Sequence, residues 1–349
     1  MNKIFKVLSI VTLLILSSCS KDKKVQDDKV LFTDNKIEKQ EIQIHRFDKA
    51  LFAANESKDA KQYLLSIEKE YAPMFATTLK DTMYLNIVNE FISDEQMRKA
   101  YQIIAAKYPN LESLEEELSI AVAKIKQIKK DTINPKIYTL IVGPVEYSQA
   151  FQNRILIYPE FSTISIDIYS INELSQHPYY KTLPQYLYAS LGKENIAPHY
   201  VNTYLKEITF RDTPLQSTNP EATLLDCIVE EGKYLYATQA VLPEKQFNYI
   251  LDYTEEQLNW VEQNENNIWS YIIENQLLYN KDRTKFFHLI SPGPSTKNIA
   301  NSPSRIGNYI GYKIVQAYMK ENPISLDSLF HNLDSKLILQ QSKYKPKKS

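Results

Sequence analysis

Ile137-Tyr138-Thr139-Leu140-Ile141-Val142, Arg154-Ile155-Leu156-Ile157-Tyr158 and Thr163-Ile164-Ser165-Ile166-Asp167-Ile168 are three β-branched and aromatic runs close together in an otherwise helical sequence. Each has the length of a strand, and the links between them are short enough to predict an antiparallel meander. On both sides of this stretch the hydrophobic period changes to that of helices. Leu114, Leu118, Ala121, Val122, Ile125 and Ile128 form one such stripe. Ser93 with Gln96, Ser113 with Glu116, and Thr254 with Gln257 have capping-box spacing. Asn219-Pro220 has the form of an N-cap and first helical residue before a helix reaching about residue 240. Further helices are expected over 264–279, 304–321 and 325–337. The prediction is an α+β fold, mostly α: a helical body with a small antiparallel sheet.

The chain begins MNKIFKVLSIVTLLILSSCS. Lys3 and Lys6 precede an apolar run, Val7 to Leu16, that is too short to span a bilayer. This is the pattern of a signal peptide over residues 1–18. Leu16-Ser17-Ser18-Cys19 has the form of a lipobox, which makes Cys19 the expected lipid acceptor. Acyl chains there would anchor the protein, each buried CH₂ contributing about 0.8 kcal/mol. Residues 19–40 are polar and charged and read as a tether. Residues 41–340 form one expected domain, and 341–349 a basic tail. Ser20-Lys21-Asp22 partly matches an export tag for surface lipoproteins, but only one acid precedes Lys23 and Lys24. The expected location is therefore the cell envelope, lipid-anchored and facing the periplasm.

The whole chain has 349 residues with 41 basic and 42 acidic side chains. Losing Lys3 and Lys6 leaves the body slightly acidic, which argues against a nucleic-acid partner. Two cysteines exclude a disulfide framework, and no glycine-rich phosphate loop occurs. The five histidines, His45, His177, His199, His288 and His331, are too widely spaced for HExxH. There is no GxSxG elbow, and Cys227 lies in an apolar helical stripe. No catalytic residue, metal or cofactor is expected on these grounds. The 25 tyrosines alone motivate a lipid or glycan carrier.

Two local patterns stand out. In Leu224-Leu225-Asp226-Cys227-Ile228-Val229-Glu230-Glu231-Gly232-Lys233, a glycine interrupts an apolar helix at a cost of about 1 kcal/mol relative to alanine, which suggests close approach by another backbone or a ligand. In Arg305-Ile306-Gly307-Asn308-Tyr309-Ile310-Gly311, two glycines four apart clear one helix face. These helices are expected to cross closely. Arg305, at a helix start where a cation gains nothing from the dipole, should pair with a carboxylate, Glu230 or Glu231.

Taken with His45-Arg46-Phe47-Asp48, Leu51-Phe52, Tyr71-Ala72-Pro73-Met74-Phe75, Tyr188 to Gly192, Leu235-Tyr236 and Pro243, these motifs make the chain resemble the gliding-motility lipoprotein family GldB of Bacteroidetes. The resemblance runs along nearly the whole mature chain. It implies a role in the envelope machinery for gliding and type IX secretion, with other envelope proteins as partners. The family is in turn distantly similar to gluzincin-type zinc peptidases, in which a Glu-Gly pair follows the HExxH helix. Glu231-Gly232 holds that place, while Pro184 to Phe210 offers only His199. The resemblance thus implies a degenerate zincin-like architecture that binds partners without catalysis. The alternative is a cryptic, peptidase-like hydrolase using a groove centred on Glu231 and Arg305.

Overall fold

The computed structural model describes residue 32 and residues 40–129, 136–144, 152–181 and 183–346. Signal peptide, Cys19 and most of the tether lie outside the described residues. Within them the chain is α+β and mostly helical. The α-helices described are α1 Phe47–Phe52, α2 Ala60–Ile67, α3 Thr82–Ser93, α4 Glu95–Lys107, α5 Glu112–Ile128, α6 Ile196–Tyr204 and α7 Leu224–Val241. They continue with α8 Phe247–Leu251, α9 Glu255–Gln263, α10 Glu265–Glu274, α11 Arg283–Phe286, α12 Ile306–Glu321, α13 Leu326–His331 and α14 Ser335–Ser342.

The sheet is mixed, not the antiparallel meander expected. Its strands are β1 Ile44–His45, β2 Lys136–Leu140, β3 Ile155–Ile157 and β4 Phe161–Ser165, in the order β1-β2-β4-β3. β1 and β4 flank β2 in parallel, and only β3 runs antiparallel, to β4. The tight β3–β4 link makes a hairpin, as its length predicts. The longer passage from β2 to β3 lets β3 pass to the outside. Burial explains the order. Ile137, Tyr138, Thr139 and residues Ser162 to Ser165 are buried, as suits strands covered on both faces, whereas Leu156 and Ile157 are only half-buried and suit an edge. The two residues of β1 are too few to show alternation.

The His45-Arg46-Phe47-Asp48 motif ties this sheet to the helices. Arg46 grips Asp48 with two hydrogen bonds, 2.9 and 2.7 Å, and donates to the Tyr108 carbonyl at 3.0 Å. Asp48 is fully buried and accepts from Thr139 on β2 at 2.5 Å. Phe47 packs between the rings of Tyr71 and Phe75, at 5.4 and 5.2 Å. These residues therefore build the core.

Helix starts follow the strongest local cap. Thr254 and Gln257 form the expected capping box on α9. The start of α4 moves one residue, because Ser93 ends α3 and the Asp94 carboxylate accepts from the Met97 amide at 2.8 Å. α5 begins at Glu112 without a side-chain cap, which places Ser113 inside the helix. α7 is capped by Thr223 and Asp226, four residues beyond Asn219. A turn at Asn264 separates α9 from α10, and Asn332 to Asp334 separate α13 from α14. Single residues of the expected tether and tail pack on the body. Phe32, in the expected tether, is buried with the Lys124 ammonium 5.3 Å from its ring centre. Tyr344, in the expected tail, donates to Glu265 at 3.1 Å and meets Trp269 edge-on.

Asp167, just after β4, makes the interior pH-sensitive. Its buried carboxylate accepts from the Gly143 amide at 3.0 Å and the Tyr180 hydroxyl at 2.9 Å. Gly143 needs its φ of 79° to present that amide. Burial outweighs both hydrogen bonds and pushes the carboxyl up to about 6. A raised carboxyl contributes stability below its unfolded pKa, near 3.9, and loses it as pH rises through about 6. The loss across that window is about 3 kcal/mol. Asp167→Asn does not titrate. Urea unfolding should therefore show the variant gaining on the wild type by about that much between pH 4 and pH 7. A difference independent of pH would remove Asp167 as the source.

Candidate functional site

Four segments distant in sequence converge on His199. It lies on α6, buried to 5 % exposure. Tyr169 comes from the turn after β4, Asp252 ends α8, and Arg305 caps α12. The Tyr169 hydroxyl lies 2.8 Å from His199 Nδ1, and His199 Nε2 lies 2.5 Å from Asp252 Oδ1. Arg305 donates to Asp252 Oδ2 at 3.0 Å, and its second nitrogen reaches the carbonyls of Leu251 and Asp252 at 3.2 and 3.1 Å. Asp252 and Arg305 both have left-handed backbones, with φ of 59° and 57°. Tyr253 fastens the two turns together by donating to the Ser304 carbonyl at 2.7 Å.

The charges in this network are set by burial. Burial depresses the His199 pKa, and the opposing pull of Asp252 does not overcome it. Neutral His199 therefore accepts from Tyr169 at Nδ1 and donates from Nε2 to Asp252. Burial pushes the Asp252 carboxyl up, but His199 and Arg305, with Arg154 behind them, hold it well below the usual carboxylate range. Burial also raises the Tyr169 phenol, which keeps it a donor.

His199, Asp252 and Arg305 of this network border a cavity of about 100 Å³, room for a small polar group. Arg154, Asn202, Thr203, Lys206, Glu231 and Asn308 are its other polar lining residues besides Tyr253. Glu231 pairs with Lys206 at 3.1 Å, and Lys206 also covers the Tyr234 ring at 4.8 Å. Glu230 is engaged elsewhere, accepting from the Ser217 hydroxyl at 2.6 Å and the Ser217 amide at 3.1 Å. The expected Arg305 pair with Glu230 or Glu231 is thus replaced by a pair with Asp252, which the left-handed end of α8 carries up to the start of α12.

The glycines lie where α7 crosses α12. A Cβ on Gly311 would fall on the backbone carbonyl of Ile228, and one on Gly232 on the Gly311 carbonyl, 2.8 Å from the Tyr312 amide nitrogen. Gly307 sits less tightly, its added Cβ 3.0 Å from the Leu289 carbonyl oxygen. Cys227 is buried on α7, and burial pushes its thiol up. Among the described residues no three His, Cys, Asp or Glu side chains are grouped to hold a metal ion. No helix among them is long and apolar enough to cross a membrane.

Sequence reasoning named Glu231, Arg305 and His199, and all three border the cavity. It missed Asp252, Tyr169, Arg154 and Lys206. No spacing links these residues, and the left-handed Asp252 carries no glycine or asparagine signal. No curated protein and no solved structure matches the chain. The family model described as gliding motility protein GldB matches residues 31–346. That range takes in Phe32, the sheet, the His199 network and the α7–α12 crossing, and by this match the chain belongs to the gliding motility protein GldB family.

Proposed function

We propose that the chain is a lipoprotein of the gliding motility and type IX secretion machinery, held in the envelope through acylated Cys19. On this reading it works by binding other envelope proteins on a peptidase-like scaffold, without peptidase chemistry. The closed His199 network is the supporting observation. A metal ligand or general base needs a free lone pair on its imidazole. In neutral His199 one nitrogen accepts from Tyr169 and the other donates to Asp252. Asp252 is itself held by Arg305, and Glu231 by Lys206. Such a site is built to hold charges in fixed positions.

The hydrolase reading draws on one observation: His199 and Glu231, singled out by the resemblance to zinc peptidases, border the same cavity. One experiment separates the two. The intact lipoprotein is crosslinked in membranes, and the same preparation, purified without chelators, is assayed for zinc and for peptide hydrolysis. The expected result is crosslinks to envelope proteins, zinc far below one ion per chain, and no turnover. Stoichiometric zinc with hydrolysis that Glu231→Ala abolishes, in a variant that still melts cooperatively, would establish the hydrolase instead.

A further inference from the structure

Tyr309 and Tyr312 lie three apart on α12 and therefore on one face of it. With Tyr236 of α7 and Phe247, the first residue of α8, they line a groove of about 560 Å³, within the usual size range of ligand sites. The Phe247 and Tyr312 rings are 4.2 Å apart, and Tyr236 and Phe247 are only half-buried. The face of an aromatic ring carries partial negative charge, so such a lining attracts a cation as well as an apolar chain.

The charged residues bordering this groove differ in how far they are committed. Lys245 is held by Glu117 at 2.9 Å and by Glu194 at 3.2 Å. Lys313 donates to the side-chain oxygen of Gln316 at 3.1 Å. Glu244 and Glu262 are exposed, and among the described residues neither belongs to an ion pair. The two lysines are thus engaged, and the two carboxylates are open to a partner. An apolar side chain entering the groove would take water from Glu244 and Glu262 without supplying a counter-ion, and an acidic one would add repulsion. A lysine or arginine suits both features, its methylenes lying on the rings and its charged head meeting carboxylate.

We propose that this groove receives a basic segment of a partner protein, with lysine or arginine side chains packed on its aromatic lining and their charge met by Glu244 and Glu262. The inference rests on the binding reading above and names the partner's chemistry: the rings supply apolar contact, and the two carboxylates supply the selectivity for a cation.

The test uses the full-length lipoprotein in detergent and octapeptide pools blocked at both ends. The pools are randomised among uncharged residues except at two central positions, which carry Lys, Arg or Gln. Retained peptides are quantified by mass spectrometry. Wild-type protein should retain the Lys and Arg pools about ten-fold over the Gln pool, the scale of a charge-assisted hydrogen bond. The double variant Glu244→Gln, Glu262→Gln should lose that preference while melting like the wild type. Glu56→Gln with Glu90→Gln makes the same change of net charge at two exposed positions outside the groove and should keep it. Phe247→Leu should lower retention of the Lys and Arg pools. Equal retention of all pools by the wild type would overturn the charge assignment. Equal loss in the two double variants would overturn the groove as the site, and unchanged retention in Phe247→Leu would overturn the ring contact. Retention of no pool would overturn the proposal as a whole. Crosslinking in membranes separates its failure from that of the binding reading. Crosslinks that the Glu244→Gln, Glu262→Gln variant keeps in full would overturn the groove alone, whereas a wild type that forms none would overturn the binding reading.

Discussion

Gly311→Ala is expected to lower the stability of this protein by about 3 kcal/mol or more, the upper end of what overpacking costs. The sign makes the test sharp. In an exposed helix interior the same exchange stabilises by about 1 kcal/mol, because alanine is the better helix former. Here the new Cβ falls on the Ile228 carbonyl, a backbone group that cannot swing aside. Relief requires α7 and α12 to separate along much of their contact, exposing Ile228, Ile310 and Ile314, all of which are fully buried. Gly232→Ala should behave similarly, since its Cβ meets backbone in the opposite direction. Gly307→Ala should cost less, because two of its nearest atoms belong to the side chains of Ile228 and Ile290, which can shift. Urea unfolding of the three variants decides the matter: a Gly311→Ala protein as stable as wild type would mean the two helices do not cross at this distance.

That crossing was legible in advance, because a glycine inside an apolar helix is tolerated only where something replaces the side chain it lacks. Gly232 and the Gly307–Gly311 pair carried enough signal to bring two helices together from segments about 75 residues apart in sequence. Arg305 was legible halfway. Its place at a helix start called for a carboxylate, but the choice between Glu230 and Glu231 came from the nearest conspicuous acids. Asp252 reaches Arg305 only because α8 stops in a left-handed turn, a tertiary outcome that leaves no periodicity to read. The sheet failed for a related reason. Strand propensity located β2, β3 and β4, while the order of strands depends on which faces the helices cover. His45-Arg46-Phe47-Asp48 marked the family, yet its residues join α1 to β2 rather than line the cavity.

Asp252→Asn is the second substitution with a large expected effect, about 3–5 kcal/mol of lost stability, because it leaves the Arg305 charge buried without its counter-ion. Asparagine keeps the size, tolerates the left-handed backbone and still offers His199 an acceptor, so the change isolates the charge. Arg305→Met should cost a comparable amount by stranding the carboxylate. The double variant should then cost less than the two singles together, by about 2 kcal/mol, as expected for groups in direct contact. Arg305→Gly adds a separate reading. Glycine adopts φ near 57° freely, so this variant should be more stable than Arg305→Met by about 1 kcal/mol, the strain of one left-handed residue. The two turns thus hold strained backbones that their side chains lock by bonding to each other, and this places Arg305 at the mouth of α12 facing the cavity. Strict additivity in the cycle would show that the pair does not hold the turns.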